Sequence, residues 1–140
     1  MIYHGLIHVR WDDLDAFNHV NNAAYLTFIQ EARSDFFWFS QKLKGGEPIL
    51  PDMVVARAEV DFIEPIYEPN IDVDVAITVS RIGTASFDLS YVISREGMIF
   101  AKAKTVQVAV SMDLKKSRPL SESEREFLHL YSENSSEGGL

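Results

Sequence analysis

The sequence contains no cysteine in its 140 residues. That absence removes disulfides, thiolate metal sites and a cysteine nucleophile together, while leaving the redox compartment open. Basic residues are also scarce, with 13 Lys and Arg set against 21 Asp and Glu for a net charge of −8. Nucleic acid is therefore disfavoured as a partner, because phosphate binding needs clustered Lys and Arg. An anionic small ligand would need a local patch, for which Arg81, Lys102, Lys104, Lys115, Lys116 and Arg118 are the candidates. Apolar runs extend only a few residues, so no membrane span is expected. The opening MIYHGLIHVR lacks a basic region leading into an apolar stretch and a small-residue cleavage site, and a cytoplasmic location is the expectation. G-x-S-x-G, H-E-x-x-H, G-x-G-x-x-G and the phosphate-binding G-x-x-x-x-G-K-[ST] are all missing.

What is present is ample apolar material, 46% of residues, enough for a single domain with its own core. That domain is expected over residues 1–131, followed by a disordered tail, SENSSEGGL, over 132–140. IYHGLIHVRW alternates loosely and predicts an opening strand. From about Asn22 the period turns helical, with Tyr25, Phe28, Ile29, Ala32, Phe36, Phe39 and Leu43 three and four apart; Leu26, Phe37 and Trp38 widen that face. So broad an apolar face predicts a helix buried on most sides, ended by KGGEP at 44–48. Alternating segments follow at 53–63, 71–80, 85–94 and 98–112, with REG at 95–97 as a tight turn. The short turns predict antiparallel hairpins throughout, four strands in a meander. LSESEREFLHLY then predicts a short C-terminal helix opened by a capping box of Ser121 and Glu124. The order implies an α+β fold whose sheet curls around one long helix, and a homo-oligomer to cover the sheet's far face and edges.

Residues 13–26, DLDAFNHVNNAAYL, concentrate two carboxylates, a His and three Asn just ahead of that helix. Asp12, Asp13 and Asp15 suggest a divalent cation, but Phe17 and Asn18 interrupt the ligand register, and neither a metal nor a cofactor is expected. What remains is a carboxylate at Asp15, His19 four residues on, and backbone N–H groups near Asn22 that have no intrahelical partner and sit at the positive end of the helix dipole. A carboxylate beside such donors is the minimum equipment for hydrolysing an activated acyl group such as a thioester. Local chemistry alone leaves alternatives open. Asp15 also suits a turn, His19 a buried structural imidazole, Asn21 and Asn22 helix capping, and Tyr25 the core. Arg57 shares strand parity with Glu59, which first predicts an ion pair.

DLDAFNHVNNAAYLTFIQEAR, Asp13 to Arg33, resembles the D-x-D-x-x-x-H-V-N-N-x-x-Y-L-x-x-x-x-E-A-R signature of hot-dog-fold acyl-CoA thioesterases of the 4-hydroxybenzoyl-CoA thioesterase-like family. RAEVDFIEPI (57–66), RIGTASFDLSYVI (81–93) and AKTVQVAVSMDLKKSRPL (103–120) extend the resemblance to about residues 5–130. It implies a hot-dog fold, an antiparallel sheet of about five strands wrapped around the long helix, in homodimers or homotetramers with sites at the interface. It also implies that Asp15 is the catalytic carboxylate, supported by His19 and by the backbone near Asn22, with Tyr25 lining the site and Arg57 and Arg81 as further substrate contacts. The H-V-N-N form is similar to bacterial fatty acyl-CoA thioesterases, so a fatty acyl-CoA is favoured over an aromatic one. Plant acyl-carrier-protein thioesterases are also similar, but they carry an Asn where this chain has Phe17. The turn Ile82 to Ala85 carries only Arg81 nearby, where the benzoyl branch has a basic cluster for coenzyme A. The alternatives on the same fold are a non-catalytic acyl-CoA-binding module, an acyl-carrier-protein thioesterase and a dehydratase acting on hydroxyacyl chains.

Overall fold

The computed structural model describes residues 1–133. Strand β1 (Tyr3–Val9) leads through a single 3-10 turn (Trp11–Asp13) and a small hairpin to helix α1 (Asn22–Ser34). The helical path continues through a π segment (Asp35–Phe39) into α2 (Ser40–Leu43). Strands β2 (Met53–Phe62), β3 (Ile71–Ile82), β4 (Ser86–Arg95) and β5 (Met98–Ser111) follow, then the two-residue β6 (Lys116–Ser117) and α3 (Glu122–Leu130). The sheet runs β1-β3-β4-β5-β2, all neighbours antiparallel, with β6 beside β5. This is the hot-dog architecture, a curled sheet against one long helix.

Strict alternation makes the sheet's inner face. Val73, Val75, Ile77 and Val79 of β3 and Phe87, Leu89, Tyr91 and Ile93 of β4 are buried, while their neighbours in sequence face outward. Irregularities in the pairing at Val55/Arg57, Val79/Arg81 and Ile93/Ser94 each displace the ladder by a residue. Such bulges bend and twist a strand, and here they fold the sheet over the helix. The β4–β5 turn closes through Glu96 and Gly97, both at positive φ, the geometry a two-residue hairpin demands.

The expected meander is corrected at β2, which pairs with β5 and not with β3. The eight residues 63–70 then carry the chain back across the sheet, and at full extension they reach about 26 Å, well beyond the roughly 14 Å of three strand spacings. This crossover is anchored where it passes the helix start. The Ile63 and Glu64 N–H groups donate to the Phe100 carbonyl, and Ile66 is buried and accepts from the Val20 N–H at 2.8 Å.

A second correction concerns the helix. Tyr25, Phe28, Ile29, Ala32 and Phe36 are buried as the period predicts, but Leu26 is half exposed and Phe39 and Leu43 are 57% and 88% exposed. The π segment explains the change at the far end. Its wider turn inserts a residue, so that Phe36 and the adjacent Phe37 both face the core and the following stripe rotates out to solvent. Both rings join an aromatic cluster with Tyr3, Phe87, Phe127 and Tyr131. Helix α3 supplies Phe127 and Tyr131, and it opens with the Ser121 and Glu124 capping box that the sequence announces. Beyond it Ser132, the first residue of the expected tail, still bridges Val79, and residues 134–140 lie outside the described residues. Among the described residues no helix is long and apolar enough to cross a membrane.

Candidate active site

The polar stretch folds because each of its groups has a local task. Asp13 is buried, and its carboxylate accepts the Arg10 N–H at 2.8 Å and the Arg10 guanidinium at 3.0 Å. Its carbonyl takes the Asn21 N–H. Between these ends Leu14 and Val20 bridge, the Asp15 N–H donates to the His19 carbonyl, and the Asn18 N–H closes the turn on the Asp15 carbonyl, each of these two bonds being 3.0 Å. Asn18 stands at φ +62°, a left-handed conformation that Asn tolerates better than most residues. The Asp15 Oδ1 accepts the Phe17 N–H at 2.9 Å and lies 4.0 Å from the His19 Nδ1. Its second oxygen has no partner among the described residues.

Asn21 is the N-cap of α1. Its Oδ1 accepts the Ala23 N–H and its carbonyl the Ala24 N–H, both at 2.9 Å. The backbone donor left over at the helix start is the Asn22 N–H, which has no acceptor among the described residues. It opens on a cleft of about 150 Å³ lined by His19, Val20, Asn22, Tyr25 and the segment Phe62 to Pro65. Tyr25 meets Phe62 edge to face, with ring centroids 5.0 Å apart. Burial pushes the Tyr25 hydroxyl above its ordinary value, opposed by a backbone hydrogen bond at Ile66, so this phenol stays protonated at neutral pH. The cleft shares Glu64 and Pro65 with a larger cavity of about 360 Å³ that continues along the crossover to Arg95 and Met98. Among the described residues no group of three or more His, Asp or Glu side chains is arranged to hold a metal.

Residues 9–128 match the family model of the thioesterase-like superfamily. The chain belongs to that superfamily. The thioesterase is 27% identical over 128 residues to the 1,4-dihydroxy-2-naphthoyl-CoA hydrolase of Rippkaea orientalis (strain PCC 8801 / RF-1), covering 86% of this chain and 90% of that one. Its fold is similar to that of a predicted thioesterase from Bacillus stearothermophilus, with a TM-score of 0.80 and 24% identity over 94% of this chain and 97% of the other. It is also similar to a thioesterase from Thermus thermophilus complexed with coenzyme A and Zn, with a TM-score of 0.76 and 30% identity over 91% and 92% of the two chains. The activity that these relationships support is thioester hydrolysis.

Within the thioesterase, His19, Asn22 and Tyr25 come together on one cleft, and Asp15 stands beside it next to His19. Arg57 and Arg81 are elsewhere. Arg57 is exposed on β2 and pairs with Glu59, as the strand parity predicts. Arg81 sits at the end of β3, bonded to Asp88 and Ser86 and packed where a side chain on Gly83 would stand. The cationic residues first counted as a possible patch are likewise dispersed. Lys102 and Lys104 lie opposite Asp61 and Glu59 across the β2–β5 pair, and Arg118 is engaged by Glu124. Sequence reasoning passed over Phe62, Ile63, Glu64 and Pro65, which form one wall of the cleft. The signal available was the F-I-E-P run, where an apolar strand ends at a proline and leaves two large side chains half exposed.

Proposed function

We propose that this thioesterase hydrolyses the thioester of an acyl-CoA to the free acid and coenzyme A, a fatty acyl group being favoured over an aromatic one. The observation that carries this reading is the Asn22 N–H, free at the positive end of α1 and facing the cleft beside Asp15. The thioester carbonyl oxygen accepts that N–H, which stabilises the oxyanion as the carbonyl carbon becomes tetrahedral. Asp15 acts through its unpartnered oxygen, either as base, removing a proton from the attacking water, or as nucleophile, forming an anhydride that water then opens. The C–S bond breaks and the departing thiolate takes up a proton. His19, beside the Asp15 carboxylate, holds that end of the cleft polar, and Tyr25 walls it against the apolar side. Arg57 and Arg81, already paired with acids, take no part in this scheme. Two copies join through the exposed edge of β2, bringing the partner against the open side of the trough.

The test is thiol release from short, long and aromatic acyl-CoAs, comparing the wild type with Asp15→Asn. The near-isosteric variant is expected to fold normally and to lose turnover by at least about a hundredfold, the usual scale for removing a general base. A rate equal to that of the wild type removes Asp15 from the mechanism.

A further inference from the structure

The inner face of the sheet is apolar almost throughout, yet β5 places Thr105 and Gln107 on it, 2% and 0% exposed. They form a chain with two neighbours. The Arg33 Nη1 donates to the Tyr91 hydroxyl at 3.2 Å, the Tyr91 and Thr105 hydroxyls are 2.6 Å apart, and the Gln107 Nε2 donates to the Thr105 Oγ1. Burial holds the Tyr91 hydroxyl protonated, against the pull of Arg33. The bonding does not balance. Tyr91 and Thr105 bring two hydroxyl protons and spend one on each other, and the Gln107 Oε1 is buried with no donor at all among the described residues. One donor and one acceptor therefore stand unmatched side by side, and leaving such groups unpaired is costly.

The surface between this cluster and the active-site cleft is floored by small side chains. Ala101 and Ala103 of β5 and Ala58 and Val60 of β2 face inward, and Ala58, directly opposite Thr105, is exposed. The helix spans the same stretch, touching Phe62 through Tyr25 at one end and Tyr91 through Arg33 at the other. From Ala101, opposite Phe62, to Thr105 is four residues of β5, about 13 Å at strand rise. Resting on the acyl-CoA reading above, we infer that the acyl group runs along this alanine-floored path and carries a hydroxyl at its far end, which donates to the Gln107 Oε1 and accepts the spare proton of the Tyr91–Thr105 pair. A hydroxyl is one donor and one acceptor on a single atom, which is what the cluster lacks. A methyl terminus would leave both groups buried and unpaired.

The experiment compares ω-hydroxydecanoyl-CoA with decanoyl-CoA, which differ only in that oxygen. In the wild type, kcat/KM is expected to favour the hydroxylated chain by about tenfold or more, because a site built to bond a hydroxyl rejects its absence strongly. Thr105→Val should bring the ratio close to one and Thr105→Ser should restore it, a recovery that a merely structural role for Thr105 does not predict. Equal rates in the wild type, or faster decanoyl-CoA hydrolysis, overturn the inference while leaving the thioesterase reading in place. The free acids, ω-hydroxydecanoate and decanoate, provide a readout that needs no turnover. Greater thermal protection by the hydroxy acid, lost in Thr105→Val, supports the polar terminus even if no acyl-CoA is hydrolysed, and equal protection overturns it.

Discussion

The two carboxylates of D-L-D divide their work by burial and partners. Asp13 is buried and fully engaged, tying the end of β1 to the N-cap of the helix through Arg10 and Asn21. Asp15 is partly exposed and keeps one oxygen free. Asp13→Ala is therefore a stability variant. Its loss strands the buried Arg10 N–H and should cost about 1–3 kcal/mol, read as a lower urea midpoint, with little of that coming from the mostly exposed Arg10 guanidinium. Asp15→Asn should leave the urea midpoint in place and remove the chemistry. The sequence made this pair visible but not their roles, since spacing says nothing of which oxygen is buried. It made Asn21 as a cap fully legible, because capping needs only the local backbone. The cleft wall from Phe62 to Pro65 was illegible, because it reaches Tyr25 through a crossover that no local pattern encodes.

At the scale of elements, the helix shows where periodicity stops being a reliable guide. A straight 3.6-residue repeat places Phe39 inside, and the π turn places Phe37 there instead. A cost of about 3–5 kcal/mol is expected for Phe37→Ala, the scale for deleting a buried phenylalanine. Phe39→Ala should cost little. Equal losses in chemical denaturation would mean that the helix runs straight. Helix α3 closes the aromatic cluster from the other side and is held by Arg118, whose guanidinium donates to both Glu124 oxygens at 2.8 Å. This pairing, with help from the Ser121 backbone, holds the Glu124 carboxyl below its ordinary value. A lowered folded value means that the stabilisation is fully present above the unfolded carboxylate value of about 4.3 and disappears as pH falls through the folded one. Glu124→Gln should accordingly be less stable than the wild type at pH 7, and the gap should close as the solution is acidified below pH 4. A gap that persists unchanged in acid would place the contribution of Glu124 in packing and not in its charge.

For the molecule as a whole, the strand order matters most. Local alternation made every strand legible to within a residue or two, and the hairpins β3–β4 and β4–β5 follow from their short turns. The position of β2 does not, because its pairing with β5 spans some forty residues of sequence and is decided by the helix that precedes it. That placement leaves β2, the ten-residue strand that walls both the cleft and the alanine-floored path, as an open edge. An unpaired edge of this length invites a second strand. If two copies join edge to edge about a two-fold axis, the residue near the middle of β2 meets its own counterpart. That residue is Ala58, exposed in the single chain, so a glutamate is sterically acceptable there alone but sets like charges face to face across the pair. Light scattering on the wild type is expected to give twice the chain mass, and Ala58→Glu to give a folded protein of single-chain mass. A variant that stays dimeric would move the interface to another face. A wild type that is monomeric would mean that each chain completes its own site, with Phe62 and Ile63 left to meet the substrate directly.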